Sequence, residues 1–522
     1  MTARAIMVLG TSSHVGKSLI TAALCRILAD EGISVAPFKS QNMSLNSAAT
    51  MEGLEIGRAQ ALQAEAARTP ASVHMNPILL KPAGSMSSQV VVRGKIWGKL
   101  SASEYHRRRV EELLPIVRES YEILAAKHDV IILEGAGSPA EINLKQHDIV
   151  NMRMAEMADA SCILVGDIDR GGVFASLFGT VQLLDPWEQS RIRGFVINKF
   201  RGDVALLKPG LVMIEDRMQK PCIGVIPYLQ DLALEEEDSL GLPYKTGVSD
   251  PWPSDDSSNR PLRVSVIALP SFSNFTDFDA LRHEPSIALR YCREPAQLAS
   301  SDVMILPGSK QTVEDLLWLR GRGMDWTIIG HATRSLVVGI CGGMQMLGTA
   351  ILDPLAMEHG DRVEGFGLLP ITTRMNAEKV TRQVRGALLR SSLFGQPVPP
   401  QTFHGYEIHV GETIYENHAQ AFAMLNEQDS DGCISADNRI FGTYLHGIFD
   451  DDVFRHTFIA AARTYYNLAP AVRFENWRQR REQSFDVLAD GVRNSLDLAK
   501  MFDWIGLKYG SHLSVTSTEQ PR

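Results

Sequence analysis

This 522-residue chain has few cysteines, no basic excess and no long hydrophobic run. The six cysteines (Cys25, Cys162, Cys222, Cys292, Cys341 and Cys433) lie scattered without paired spacing. That excludes a disulfide framework and a zinc site of paired cysteines, and they read as reduced thiols. Lys and Arg number 52 against 61 Asp and Glu, a formal net charge of -9. A nucleic-acid partner is therefore not expected, because such proteins concentrate positive charge. No apolar run is long enough to cross a bilayer. No leader is read before the first strand, so the expectation is a cytoplasmic protein with no membrane partner. No repeat of fixed period appears. What remains, 44% hydrophobic and 22% charged, is ordinary for a globular chain. Its length is too great for one core, so two or three domains are expected.

Short apolar runs alternate with helical patterns in the first part. Strands are predicted at Ala5–Leu9, Ser34–Phe38, Val130–Leu133, Cys162–Asp167, Gly194–Asn198 and Cys222–Ile226, with helices at Ser18–Asp30 and Glu104–Lys127. That rhythm implies α/β architecture, a mostly parallel doubly wound sheet. Acidic and turn residues then accumulate over 235–260, the best linker. A second alternation follows, with strands at Leu262–Leu269, Val303–Leu306, Leu336–Ile340, near Gly365–Pro370, Glu407–Val410 and Arg439–Tyr444. The pattern turns helical from Asp452, and the last dozen residues read as a frayed tail. The division expected is thus 1–234, 235–260, 261–455 and a helical extension over 456–522.

The first strand runs into Gly10-Thr11-Ser-Ser-His-Val-Gly16-Lys17-Ser18. A triphosphate cradle needs glycines that let backbone N–H groups approach oxygen. It also needs a lysine for the outer phosphates and a hydroxyl for magnesium. Gly10, Thr11, Gly16, Lys17 and Ser18 supply these, pointing to ATP and Mg²⁺. Glu134 and Asp167 close two apolar strands, where carboxylates can hold the cation through oxygen. Asp148 is a weaker candidate. Asn198 stands at another strand end, within reach of a purine, or merely terminates the strand.

A second signature is Gly339-Ile-Cys341-Gly342-Gly343-Met-Gln345, directly after an apolar run. A strand turning sharply into a helix exposes a thiolate, and the helix N-terminus stabilises it. Nearby N–H groups, at Gly342 and at the Pro307-Gly308-Ser309 junction, can meet an oxyanion. Cys341 is the candidate nucleophile. His446, following a strand, is the favoured base, with His404 and His409 competing.

On these motifs the second domain resembles class I, triad-type glutamine amidotransferases. The first resembles dethiobiotin synthetase-like ATPases, through its lengthened phosphate loop and Glu134-Gly-Ala-Gly137. The pair in this order is similar to the cobyric acid synthase family of cobalamin biosynthesis. The likeness extends through Phe38–Asn46, Asn76–Pro82, Asp167–Gly172, Ile197–Asp203, Ser273–Asp279 and Pro307–Thr312. It implies that glutamine is hydrolysed at Cys341 with His446 as base. Ammonia then passes to a site where ATP phosphorylates the b, d, e and g carboxylates of adenosylcobyrinic acid a,c-diamide. It also implies substrate contacts at Lys39, Asn42, Asp148, Asn274 and Asp277, and a glutamine pocket shaped by Tyr406 and Glu407. One departure stands out. The usual triad places a glutamate two residues after the histidine, where this chain has Ile448.

The rivals are an a,c-diamide synthase, which shares both domain types, and a partition-type ATPase with a degenerate amidotransferase module. The second needs a basic or amphipathic attachment segment. The acidic chain offers only Arg478–Arg481.

Overall fold

β-branched and aliphatic runs buried on both faces form the parallel strands of the first unit. The computed structural model describes residues 3–83, 87–235, 252, 257–298, 300–416 and 418–508. Among these, six strands form one sheet: β1 (Arg4–Gly10), β2 (Val35–Phe38), β3 (Val130–Glu134), β4 (Ser161–Asp167), β5 (Ile192–Phe200) and β6 (Cys222–Pro227). Their order is β6-β5-β4-β1-β3-β2, every neighbour parallel. The connections diverge on the two sides of β1, so the loop after it lies at the topological switch point, where open parallel sheets bind ligands. Helix α1 (Lys17–Asp30) follows. It buries Ile20, Leu24, Ile27 and Leu28 in the core of this unit.

The stretch expected as one helix over Glu104–Lys127 is broken. A π-turn at Arg109–Leu113 separates Ala102–Arg108 from Leu114–Ala125, where Pro115 sits in the first turn. Proline has no N–H to continue an inward ladder but suits a helix start.

The second unit carries a parallel core of β7 (Leu262–Ile267), β8 (Ile287–Cys292), β9 (Val303–Leu306), β10 (Leu336–Ile340) and β14 (Ile440–Thr443). The short β13 (Cys433–Ile434) runs antiparallel at its edge. The order is β8-β7-β9-β10-β14-β13. A second, largely antiparallel sheet is built on β11 (Ile371–Leu388) and β12 (Thr402–Tyr415). It ends at β15 (Leu445–His446), which sets Tyr406 opposite His446. The strand expected near Gly365–Pro370 is a loop. Gly367 takes a left-handed φ of 67°, the N–H groups of Phe366, Leu368 and Leu369 turn to Met346 and Leu347 carbonyls, and the strand begins only at Ile371.

The units divide differently from the composition-based boundaries. The first holds Met1–Ser44, Ile56–Leu234 and the chain from Arg481 on. The second holds Leu45–Glu55 and Glu235–Arg480. The extension expected from 456 is therefore split. Asp452–Tyr465 stays in the second unit, while Phe485, Leu488, Ala489 and Val492, a helical i, i+3, i+4, i+7 stripe, join the core of the first. Arg26 fixes them further, donating to Glu482 at 2.7 Å and to Asp486 at 2.8 Å. Most of the 235–260 linker and the terminal tail lie outside the described residues.

Candidate active site

In the second unit the centre begins where β10 ends. Cys341 has φ 50° and ψ -110°, a conformation that L-residues rarely adopt. Its N–H donates to Thr443 O at 2.8 Å, and helix α2 (Gly342–Leu347) starts at the next residue. This tight turn requires Gly343, because a Cβ there would stand 2.0 Å from Leu306 O. The thiol is only 6% exposed. Its surroundings are not hydrocarbon alone: Sγ lies 3.7 Å from Ile408 O and interacts with the His446 side chain.

His446 is held from several directions. Its Nδ1 is 2.7 Å from Asp277 Oδ2, and Gly447 N donates to Asp277 Oδ1 at 3.0 Å. A carboxylate can only accept, so Nδ1 carries the proton and Nε2 is left for the thiol. Tyr406 stacks on the ring at 5.3 Å between centroids, with 22° between planes. Gly308 closes another side, since a Cβ on it would approach His446 Cε1 to 3.2 Å. Burial disfavours the charged ring. Asp277 and the Cys341 sulfur outweigh burial and push the imidazole pKa up to about 10. His404 is exposed and near Asp451, while His409 stacks on Tyr444 at 3.7 Å. Neither has a described contact with the thiol.

The turn carrying Gly308 is anchored by Asp315, which accepts Ser309 Oγ at 2.6 Å and Ser271 N at 3.1 Å. Burial raises its carboxyl to about 7 against those hydrogen bonds. Gly342 packs on the same turn, its missing Cβ 2.9 Å from Ser309 N. The two glycines expected to flank an oxyanion thus meet at one junction.

Beside the centre is a cavity of about 550 Å³, lined by Arg382, Glu407, His409, Thr413, Asp431 and Tyr444 among others. Gln345, one turn into α2, donates to Val410 O at 3.0 Å and to Tyr444 OH at 3.3 Å. Burial would raise Glu407. His409 and Arg382 overcome that and hold it below the usual carboxylate range. On this wall the buried Glu407 pairs with the half-buried Arg382, which also holds Asp429 at 2.7 Å.

In the first unit the loop between β1 and α1 gathers the other candidates. Gly16 takes φ 96°, and a Cβ there would collide with Asn198 Nδ2 at 2.2 Å. Lys17 Nζ lies 2.9 Å from Ser12 O and 3.1 Å from Gly137 O. Ser18 Oγ donates to Glu134 Oε1 at 2.8 Å; the same oxygen takes Lys39 Nζ at 2.8 Å, and Oε2 takes Gln63 Nε2 at 2.6 Å. A hydroxyl touching a carboxylate at the strand end is a donor set suited to Mg²⁺. Among the described residues there is no group of three or more His, Cys, Asp or Glu that could hold a metal ion.

Several expected contacts are used inside the fold. Asn198 donates to Val15 O at 2.8 Å, bracing the loop from behind. Asp167 pairs with Lys199 at 3.0 Å. Asp148 accepts from the N–H groups of Val150, Asn151 and Arg153, tying down the turn that leads into Met152–Met157. Asn42 is buried against Gln60. Asn274 accepts from Ser47 N, and Asp277, expected among the substrate contacts, carries His446 instead. Gln63 and Arg382 had no local signature to single them out, and Gln345, though it closes the Cys341 signature, was given no role there.

A strand-elbow thiol with a histidine and carboxylate, joined to a phosphate loop, defines a glutamine amidotransferase fused to a nucleotide-binding domain. Family models agree on both halves. Residues 6–241 match the CobQ/CobB/MinD/ParA nucleotide binding domain, and residues 263–454 the CobB/CobQ-like glutamine amidotransferase domain. Full-length relatives are named cobyric acid synthase. That of Caldanaerobacter subterraneus is 47% identical, the match covering 95% of this chain and 97% of the relative. Those of Syntrophobacter fumaroxidans (45%; 97% and 99%) and Moorella thermoacetica (46%; 97% and 98%) are similar. The chain belongs to the cobyric acid synthase family. Among the described residues no helix is long and apolar enough to cross a membrane.

Proposed function

We propose that this chain amidates the b, d, e and g carboxylates of adenosylcobyrinic acid a,c-diamide in the cytoplasm, with glutamine as nitrogen donor and ATP as activator. The observation that carries the reading is the Cys341–His446–Asp277 array, on a chain that matches a cobyric acid synthase over 95% of its length.

With the proton of the Cys341 thiol already held on His446 Nε2, the sulfur attacks the side-chain carboxamide carbon of glutamine. Gly342 and the Gly308 turn face the developing oxyanion. The C–N bond breaks, His446 returns the proton to the departing nitrogen, and ammonia leaves a glutamyl thioester. Water, giving its proton to His446, cleaves the thioester to glutamate and restores the thiol. Asp277 keeps Nδ1 protonated and stabilises the imidazolium in each half. The cavity beside Gln345 receives the amino-acid end of glutamine.

At the phosphate loop a substrate carboxylate oxygen attacks the γ-phosphorus of ATP and ADP departs. Ammonia then attacks the acyl carbon, the C–O bond to phosphate breaks, and the proton shed by nitrogen goes to phosphate. A free carboxylate is a poor electrophile, and phosphorylation supplies the leaving group. Lys17 stabilises the charge on the transferring group. Ser18 and Glu134 would hold Mg²⁺, which when bound neutralises phosphoryl oxygens.

The test is product mass after incubation with the a,c-diamide, glutamine and Mg-ATP. Four added amides are expected. An inert a,c-diamide, with cobyrinic acid accepted in its place, would return the a,c-diamide synthase reading.

A further inference from the structure

Ahead of its main passage over Glu235–Arg480, the chain enters the second unit over the short stretch Leu45–Glu55, with both flanks in the nucleotide-binding unit. This short arm is deeply built in. Within it, Ser47 Oγ donates to Glu55 Oε1 at 2.8 Å. Glu55, 1% exposed, pairs with Lys379 of β11. Gln383 Nε2, also on β11, donates to Ala49 O at 2.6 Å. Ala49 packs against Tyr406 and Ile408.

The arm's first residues grip the segment that carries Asp277. Asn46 Oδ1 accepts from Phe275 N at 3.2 Å, and Asn274 Oδ1 accepts from Ser47 N at 3.0 Å. The two asparagines thus satisfy each other's neighbouring backbone in a reciprocal clasp. Asn274 holds a left-handed φ of 53° and caps the 3₁₀ turn Phe275–Phe278, in which Asp277 faces His446. A buried clasp of this kind fixes register, because opening it strands polar groups away from water. Both supports of His446, the acid and the stacked Tyr406, therefore rest on residues of the arm.

We propose that Leu45–Glu55 is a positioning element of the glutaminase centre, and that Asn46 sets the Asp277 carboxylate on His446. The proposal rests on reading Cys341, His446 and Asp277 as that centre. Lys39, just upstream of the arm, is tied to Glu134 at the phosphate loop. The stretch that positions the acid is thus continuous with the stretch that contacts the candidate magnesium ligand.

The experiment compares the intact chain with Asn46→Ala and Asn46→Asp, which keeps the acceptor oxygen. Glutamine-dependent and ammonia-dependent amidation are followed across pH. Misplacing a catalytic group by a fraction of an ångström costs roughly tenfold or more in rate. Asn46→Ala should lower kcat for glutamine by about that factor with little change in KM. It should also move the alkaline limb of the glutamine profile to lower pH, and leave ammonia-dependent amidation intact. Asn46→Asp should recover much of the loss. An unchanged glutamine rate and pH limb in Asn46→Ala overturns the proposal. If Asn46→Ala loses both activities together, Gln383→Met decides, because it loosens only the arm's hold on β11. A selective fall in glutamine use then supports the proposal, and unchanged glutamine use overturns it. Cys341→Ala in the same assay reports on the centre itself. Survival of glutamine use there removes the centre, and the arm's role with it, whatever the Asn46 variants do.

Discussion

The thiol centre and the phosphate loop are both strand-to-helix turns, yet they are built on opposite principles. At the thiol, Cys341, His446 and Asp277 are each at most 6% exposed, and the backbone of Cys341 is strained. At the phosphate loop Ser12 and Ser13 are exposed and His14 and Gly16 take left-handed turns, while Lys17, 5% exposed, lies among carbonyls. A nucleophile needs one fixed alignment in a dry site, where electrostatic interactions are strong. A nucleotide site needs donors and charge that a large polyanion can gather around itself. The difference predicts that the first centre fails through geometry and the second through lost charge.

The variants that break this comparison differ in size. Cys341→Ala should cost the most. Glutamine-dependent turnover should fall to background, a loss on the order of 10⁶ when a nucleophile is removed, while ammonia still drives amidation. Loss of both activities, measured with each nitrogen source, would mean that the thiol is structural. Lys17→Ala should reduce amidation from either source by roughly 10³, since one charge-stabilising donor is removed. Undiminished ammonia-dependent turnover would contradict that role.

Asp277→Asn should lower the glutamine rate by roughly 10² and leave ammonia-dependent amidation near normal. The pH profile sharpens the point. Asp277 helps hold the His446 imidazolium to a pKa of about 10. The charged ring therefore persists from neutral pH up to that region and is lost as pH rises through it. Without the carboxylate that loss comes at lower pH, so the alkaline limb should move acid-ward. A limb that stays in place would separate Asp277 from the ring's charge. The smallest effect on chemistry is expected from Phe485→Ala. This variant empties a fully buried site in the nucleotide-binding unit. It should cost about 3–5 kcal/mol of stability, read as an earlier thermal transition, with the rate per folded molecule retained.

The same contrast explains what was legible in the sequence. The phosphate-loop parts sit at the carboxyl ends of parallel strands, so a local motif and an apolar run located Lys17, Ser18 and Glu134 directly. Cys341 was equally visible, because its glycines answer to a local turn. The acid was not. Asp277 reaches His446 from 169 positions away in the chain, and no spacing rule connects them. The segment Ser273–Asp279 stood out, but Asp277 was read there as a substrate contact, since its polar residues carry no mark of the element they face. The arm over Leu45–Glu55 and the return of the chain at Arg481 were hidden for the same reason. Periodicity reveals an apolar face but not the core that receives it. The strand expected at Gly365–Pro370 failed on turn chemistry, where Gly367 and Pro370 outweighed apolar content.

The most direct measurement is isotopic. The intact chain is given Mg-ATP, the a,c-diamide and glutamine carrying ¹⁵N in its side-chain amide, in ammonia-free buffer, and the corrinoid product is weighed. Every new amide should carry the label, and Cys341→Ala should yield none. A product whose new amides are unlabelled, or labelled amides formed without Cys341, would contradict the division between a thiol that frees nitrogen and a phosphate loop that activates the acid.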